Sequence, residues 1–444
     1  MTDAVGGVGE ITHRRILRTA LPIVLSNATV PILGAVDTGV VGQMGLVAPI
    51  GAVGISAIIL SAIYWIFGFL RMGTTGLTAK AQGAGRSGEV AAMLTRAVMI
   101  GLGGGLLVVA LQVWLFRGAF YVSPASAEVE ALAREYLAIR IWSAPAAISL
   151  YGLTGWLIAL ERGKAVLVIQ IWMNGLNILL DVWFVLGLGW GVGGVATATV
   201  IAEVTGVALA LWMCRDAFMK PAWRDWTRVF DRAALVEMAA VNRDILLRSL
   251  MLQAIFLTFM FYGAGFGDDV LAANQVLLQF LYITAHALDG FAFAIEALVG
   301  QAFGAGNRLA FRRASALGSV WAVAGSVALS VGYGLGGWML IDAMTTAEEL
   351  RFLARDYLVW VVISPVLGVA PFVLDGIFIG AARSRDMRDM MAVSLVIYVI
   401  ALAALIPTFG NHGLWIALLI SFAARGVTLG LRYPRLERSV GVSS

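Results

Sequence analysis

Of the chain's 444 residues, 60% are hydrophobic and only 13% carry a charge. A soluble domain of that size does not bury so much apolar surface, so the composition indicates an all-α polytopic membrane protein. A net charge of +4 is too small to read as a nucleic-acid signal, and the single cysteine, Cys214, rules out an intrachain disulfide.

The first ten residues lack a basic-then-apolar signal pattern, so no cleaved leader is expected and residues 1–13 read as a tail. Apolar windows separated by Gly, Pro and charge clusters predict twelve spans: 16–41, 46–71, 92–116, 135–160, 165–187, 191–213, 238–263, 270–300, 314–340, 354–380, 388–406 and 411–431. Basic residues recur at every second boundary. They are His13-Arg14-Arg15 with Arg18, Lys80/Arg86, Arg162/Lys164, Arg215 to Arg232, Arg308/Arg312/Arg313, Arg383/Arg385/Arg388 and Arg432/Arg435. The loops between hold few, and some hold acids, as at Asp268-Asp269 and Glu348-Glu349. The positive-inside rule then expects both termini in the cytoplasm.

The first span, Leu21 to Met44, is long enough to cross a bilayer, which takes roughly 20 helical residues. It carries an acid well inside its ends, Asp37, which costs on the order of 2.5–3.5 kcal/mol at membrane depth unless partnered, wetted or protonated. Pro22 and Pro31 each remove a helix hydrogen bond and favour a bend nearby. Asn27, Pro31, Gly34 and Thr38 line one face, with Asp37 at its edge. A bendable span with a titratable group reads as a moving part rather than an anchor.

In the fifth span Gln170, Asn174, Asn177 and Asp181 fall within about 60° of one another. Such a stripe cannot face lipid cheaply. For Gln170 and Asn174, helix-to-helix bonding explains the stripe as well as function does; for Asp181 function is favoured, because an acid is costly glue. The sixth span adds Thr199 and Glu203, four apart and nearly stacked. Asp37, Asn177, Asp181 and Thr199 all offer oxygens. Oxygen ligands suit a hard cation such as Na⁺, whereas a close carboxylate pair suits one shared proton, and the sequence leaves both open.

The seventh span offers Gln253. The eighth carries a second stripe, Gln275, Gln279, Tyr282, His286, Asp289 and Glu296, within roughly 100°. It too should face protein or a watery cavity, although His286 taken alone fits a packing residue better. Asp375 in the tenth span is a further candidate, and Met44 a candidate cavity wall for greasy ligands. Most of the fourteen Trp and sixteen Met read as interface belts and packing. The GLGGG run at 101–105 lies inside a span with no Lys-Ser/Thr after it, so close helix packing explains it better than a nucleotide loop. No Walker motif, His-rich metal cluster or catalytic Ser/His/Asp spacing appears, so neither ATP-driven transport nor enzyme chemistry is expected.

The basic stretch near the middle prompts a search for repeats. Leu17-Arg18-Thr19 echoes Leu247-Arg248-Ser249, and Gly83-Ala84-Gly85 echoes Gly304-Ala305-Gly306. Glu135-Tyr136-Leu137 echoes Asp356-Tyr357-Leu358, and Pro145 echoes Pro365. Ordered matches at nearly one offset indicate two six-span copies of the same orientation: an N-lobe at 14–214, a linker at 215–234, a C-lobe at 235–436 and a tail at 437–444. That arrangement is typical of alternating-access carriers.

Seven stretches resemble the multidrug and toxic compound extrusion family, and within it the branch of DNA-damage-inducible protein F. They are LPIVLSNATVPILGAVDTGVVG (21–42), RMGTTGLTAKAQGAG (71–85), NILLDVWFVLGLG (177–189), GGVATATVIAE (193–203), NRDILLRSLMLQ (242–253), ALDGFAFAIEALVGQAFGAG (287–306) and LDGIFIGAARSRDMR (374–388). The resemblance implies twelve helices in two lobes related by pseudo-two-fold symmetry. It implies efflux of bulky, often cationic or amphipathic compounds across a bacterial inner membrane by a monomer, driven by an inward H⁺ or Na⁺ gradient, with no other cofactor. It places the coupling-ion site on Asp37, Asn177, Asp181 and Thr199. The sister branch with a seventh-span carboxylate has no match here, since Gln253 stands there. Two rivals remain: a lipid-linked saccharide flippase, which would want arginines mid-span rather than at span ends, and an integral-membrane transferase, which would want a reactive cluster at a membrane face.

Overall fold

The structure, a computed structural model, describes residues 9–43, 47–122 and 126–441; the side chains of 30–35, 38, 47 and 122 also lie outside the description. Every regular element among the described residues is helical. Six helices come first: α1 (His13–Gly42), α2 (Ala48–Gly83), α3 (Ser87–Val122), α4 (Ala127–Ala159), α5 (Gly163–Gly187) and α6 (Gly191–Met213). Short turns follow at Arg215–Phe218, Pro221–Arg224 and Trp226–Val229. Then come α7 (Arg232–Ala264), α8 (Asp268–Gly304), α9 (Arg308–Met344) and α10 (Glu348–Gly380). The last run, Ser384–Arg438, contains Gly410 at φ 55° and ψ −130°, outside the helical region, and so divides into α11 (384–409) and α12 (411–438).

Ten of these runs are long and apolar enough to cross a bilayer. Division of the last at Gly410, together with the 30-residue α1, gives the twelve helices that hydropathy predicts. The helices outrun the predicted spans. The third, expected at 92–116, occupies Ser87–Val122, and the ninth, expected at 314–340, occupies Arg308–Met344. A hydropathy window stops where charge begins, but Arg and Glu are good helix formers and carry the helix on past the apolar stretch.

The chain forms two compact units. One comprises Leu25–Thr78 and Arg86–Leu235; the other comprises Val236 onward together with the residues up to Val24 and Ala79–Gly85. Helix α1 is therefore shared: its first turns belong to one unit and its Asp37 end to the other.

Glycine contacts make the repeat physical. In one unit, a Cβ on Gly83 would meet the Gln301 carbonyl oxygen at 1.8 Å, and a Cβ on Gly304 would meet the Lys80 carbonyl oxygen at 1.9 Å. The same offset of 221 residues relates Gly83 to Gly304 and Lys80 to Gln301, so the contact is reciprocal, as a local two-fold demands. A second pair obeys the same offset. A Cβ on Gly155 of α4 would meet the Arg71 carbonyl oxygen of α2 at 2.4 Å, and one on Gly376 of α10 the Ala292 carbonyl oxygen of α8 at 2.7 Å. Both halves thus use one packing rule.

The linker turns lie against α3. Thr95 Oγ1 donates to the Trp223 carbonyl at 2.8 Å, and buried Arg96 donates through Nε to the Val229 carbonyl at 2.8 Å. In the other unit an aromatic core built on Phe259, Phe280, Tyr333, Tyr398 and Trp415 surrounds a polar knot. There Asn274 and Asn411 exchange amide hydrogen bonds at 2.8 and 3.0 Å, and Trp415 Nε1 donates to Asn274 Oδ1.

Candidate functional site

Residues 170, 174, 177 and 181 sit three or four apart on α5, so a regular helix brings them to one face. The face has two parts. Gln170 Nε2 donates to Asn174 Oδ1 at 2.9 Å, and Asn174 Nδ2 donates to Thr29 Oγ1 of α1 at 2.8 Å and to the Thr29 carbonyl at 3.3 Å. These two residues tie α5 to α1.

One turn on, the chemistry changes. Asn177 Nδ2 donates to Asp181 Oδ2 at 2.7 Å, and the Asp37 carboxyl of α1 lies beside that of Asp181. Asp181 and Asn177 are 0% and 1% exposed. Three oxygens here, Asp37 Oδ1, Asn177 Oδ1 and Asp181 Oδ1, are buried without a hydrogen-bond partner. Two neighbouring carboxyls are favoured when a proton or a cation is shared between them. Directly after Asp181 the helix changes to a π-turn, Val182–Gly187, closed by stacking of Phe184 on Trp190 at 4.8 Å between ring centroids. Such turns concentrate at functional positions.

Thr199 on α6 is buried, and its hydroxyl donates to the Val195 carbonyl at 2.9 Å. That leaves its oxygen free to accept, but no hydrogen bond joins it to the two acids. Glu203, one turn further, forms a bidentate pair with Arg140 of α4, both N···O distances being 2.8 Å. Arg140 Nη1 also donates to Ser143 Oγ at 2.6 Å, and the positive charge of Arg140 reaches Asp37. Arg140 escaped the sequence reading, although an arginine inside a predicted span (135–160) was the signal that could have found it. The side chain of Pro31 and the whole of Met44 lie outside the described residues.

The candidates of the other unit behave differently. Asp375 of α10 is clamped between Arg248 of α7 and Arg425 of α12, with Arg425 Nη2 to Asp375 Oδ2 at 2.6 Å. All three side chains are under a tenth exposed. On α8, Gln279 and Tyr282 are exposed, as is Gln253 on α7. His286 and Asp289 are half-buried and Glu296 is 1% exposed, and each of the three engages a partner. Asn27 on α1 is half-buried and likewise engaged. The eighth-span stripe therefore runs from an exposed face into the core. Among the described residues no cluster of His, Cys, Asp and Glu has the makings of a metal site.

Comparison with known proteins agrees with this architecture. The MatE family model matches residues 22–183 and 245–405, once in each repeat. DNA damage-inducible protein F of Escherichia coli (strain K12) is 41% identical over 435 residues, covering 95% of this chain and 92% of that protein. A probable multidrug resistance protein NorM of a Synechococcus strain is 24% identical, covering 96% and 94%. Among solved structures, the Vibrio cholerae MATE transporter VcmN in the bent form superposes with a TM-score of 0.87 at 20% identity, covering 97% and 98%, which shows the fold. The chain belongs to the MatE family, whose members are membrane transporters rather than enzymes.

Proposed function

We propose that the chain is a secondary multidrug or toxin efflux antiporter, coupled through the Asp37–Asp181 pair. It would export bulky cationic or amphipathic compounds in exchange for H⁺. The observation that carries this reading is the neighbourhood of two carboxyls on two different helices, Asp181 fully buried and Asp37 half-buried with its Oδ1 enclosed, the Asp37 helix being shared between the units. A carboxyl donating to a second carboxyl holds one proton, and the pair gives that proton up when an incoming cation or a conformational change separates them. Loss or gain of the proton changes the charge buried at α1, and the proline-bearing helix bends in response. A substrate drives the cycle only by binding the two conformations unequally.

The names of the relatives support efflux, since one similar protein is a probable multidrug resistance protein, and MATE structures are known in bent and straight conformations. The alternation of basic loops supports a bacterial inner-membrane setting with both termini cytoplasmic, and a monomer suffices for the cycle. A second reading, Na⁺ as the coupling ion, is favoured by the three unpartnered oxygens of Asp37, Asn177 and Asp181, which together with Thr199 offer an all-oxygen ligand set.

Transport in reconstituted vesicles, at fixed membrane potential with the pH and Na⁺ gradients varied separately, tests both readings. A pH gradient alone should drive efflux of a fluorescent cation without ATP. Drive by Na⁺ alone selects the second reading, and no drive by either ends the proposal.

A further inference from the structure

A cleft of about 570 Å³ opens between α9, α10 and the last turns of α12; of the acids discussed above only Asp375 adjoins its lining in sequence, next to Leu374, and the Asp37–Asp181 pair stands apart. Its walls are apolar, formed by Val323 of α9 and by Val369, Val373, Leu374 and Ile377 of α10. At one end stand Arg312, Tyr433 and Glu437, with the Ser315 hydroxyl next to the Tyr433 phenol. From Arg312 to Val323 the helix rises about 16 Å, roughly one leaflet of a bilayer whose hydrocarbon is about 30 Å thick.

The other repeat shows what such a surface needs. There the chain covers α3 itself: the linker carries Phe218 and Trp223 onto it, and Thr95 and Arg96 hold the linker by its carbonyls. At the offset that pairs Gly83 with Gly304, Thr95 falls at Ala316, which lines the open cleft. One repeat is covered by protein, and among the described residues its counterpart leaves the apolar walls of the cleft uncovered.

The charge at the mouth selects the occupant. Arg308 and Arg312 share a single carboxylate, Glu437, and both guanidinium groups are about half exposed. Arg435 and Arg438 lie on the same turns of α12, while Arg313 and Arg432 pair with Glu10 and Asp386. Two cations on one anion leave a positive excess next to a tail-sized apolar slot. We propose that this cleft is a binding site for one anionic phospholipid, its phosphate at Arg308 and Arg312 and one acyl chain along α10. Basic pockets between membrane helices recognise lipid headgroups by this chemistry. The tail would brace α10 at Leu374, the neighbour of clamped Asp375, so the lipid stabilises this unit rather than serving as cargo.

Native mass spectrometry of the full-length chain, stripped of lipid and titrated with phosphatidylglycerol or phosphatidylcholine in mixed micelles, tests the assignment. The wild type should retain one phosphatidylglycerol with about tenfold preference over phosphatidylcholine. Ala316→Trp and Val323→Trp, which fill the slot from its exposed side, should each abolish retention while eluting as the wild type does. The double variant Arg308→Gln/Arg312→Gln should bind both lipids alike. Equal retention of the two lipids by the wild type overturns the proposal, as does unchanged phosphatidylglycerol binding in both tryptophan variants. If the full chain binds no lipid but a chain lacking residues 439–444 does, the C-terminal residues are the occupant and the lipid assignment is wrong.

Discussion

Asp181 and Asp375 are both carboxylates buried on membrane-spanning helices, and the chain treats them in opposite ways. Asp375 has two guanidinium groups against it, from two helices, so its charge is fully answered by fixed protein cations. Asp181 has an amide and a second carboxyl, and keeps one oxygen without a partner. The first arrangement is permanent, because Arg does not give up its proton in a protein. The second leaves oxygens unpartnered, and under the proposed function a small mobile cation completes it. Burial alone therefore does not mark a candidate coupling acid; under the proposed function, what marks it is a charge that no fixed cation answers. The nearby Arg140–Glu203 pair makes the same point inside the first unit, since it is closed on itself and available as a fixed positive field rather than an exchangeable site.

That contrast predicts which substitutions strike transport and which strike stability. Asp37→Asn or Asp181→Asn should lower gradient-driven efflux by at least about 100-fold with the protein still folded in the membrane, because an amide carries no exchangeable proton and no charge to be compensated. Efflux from vesicles at matched protein content reads this, and an Asp37→Asn carrier pumping at the wild-type rate would break the contrast. Asp375→Ala should do the reverse. It strands two buried guanidinium groups and should cost about 3–5 kcal/mol of stability; Asp375→Asn should retain more of it than Ala does. Thermal unfolding in detergent measures the loss.

A smaller effect tests the repeat itself. Gly83→Ala and Gly304→Ala each push a methyl into a carbonyl oxygen across the same reciprocal contact, so each should destabilise by about 1–3 kcal/mol and by similar amounts. Markedly unequal losses would mean the local two-fold is not an energetic one. The smallest change expected is at the linker. Arg162 Nη1 donates to Asp216 Oδ1 at 2.9 Å, and this hydrogen bonding holds the Asp216 carboxyl below its ordinary value of 3.8. A depressed carboxyl contributes its stability above 3.8 and loses it as pH falls through the lower folded value. Arg162→Gln should therefore cost less than about 1 kcal/mol near neutral pH, and the difference from the wild type should fade in acid.

What could be read from the sequence follows from period and sign. Twelve apolar windows, the polar face at 170, 174, 177 and 181, and the echo of Gly83-Ala84-Gly85 at Gly304 all lie in local pattern, and the structure uses each of them. Pairing does not lie in local pattern. Glu203 pairs with Arg140, 63 residues earlier, and Asp375 meets Arg425 50 residues on. The Asn274–Asn411 knot spans 137 residues, and no helical period of either segment names the partner. Gln170 and Asn174, left open between glue and function, bond to one another and to Thr29, a partner that no helical period of α5 could name.

The coupling claim is tested most directly by counting protons. Purified wild-type protein in weak buffer, mixed with a saturating cationic substrate, should release about one proton per chain, and Asp37→Asn and Asp181→Asn should release none. Release that persists unchanged in both variants, or none from a wild type that binds the substrate, would contradict the account.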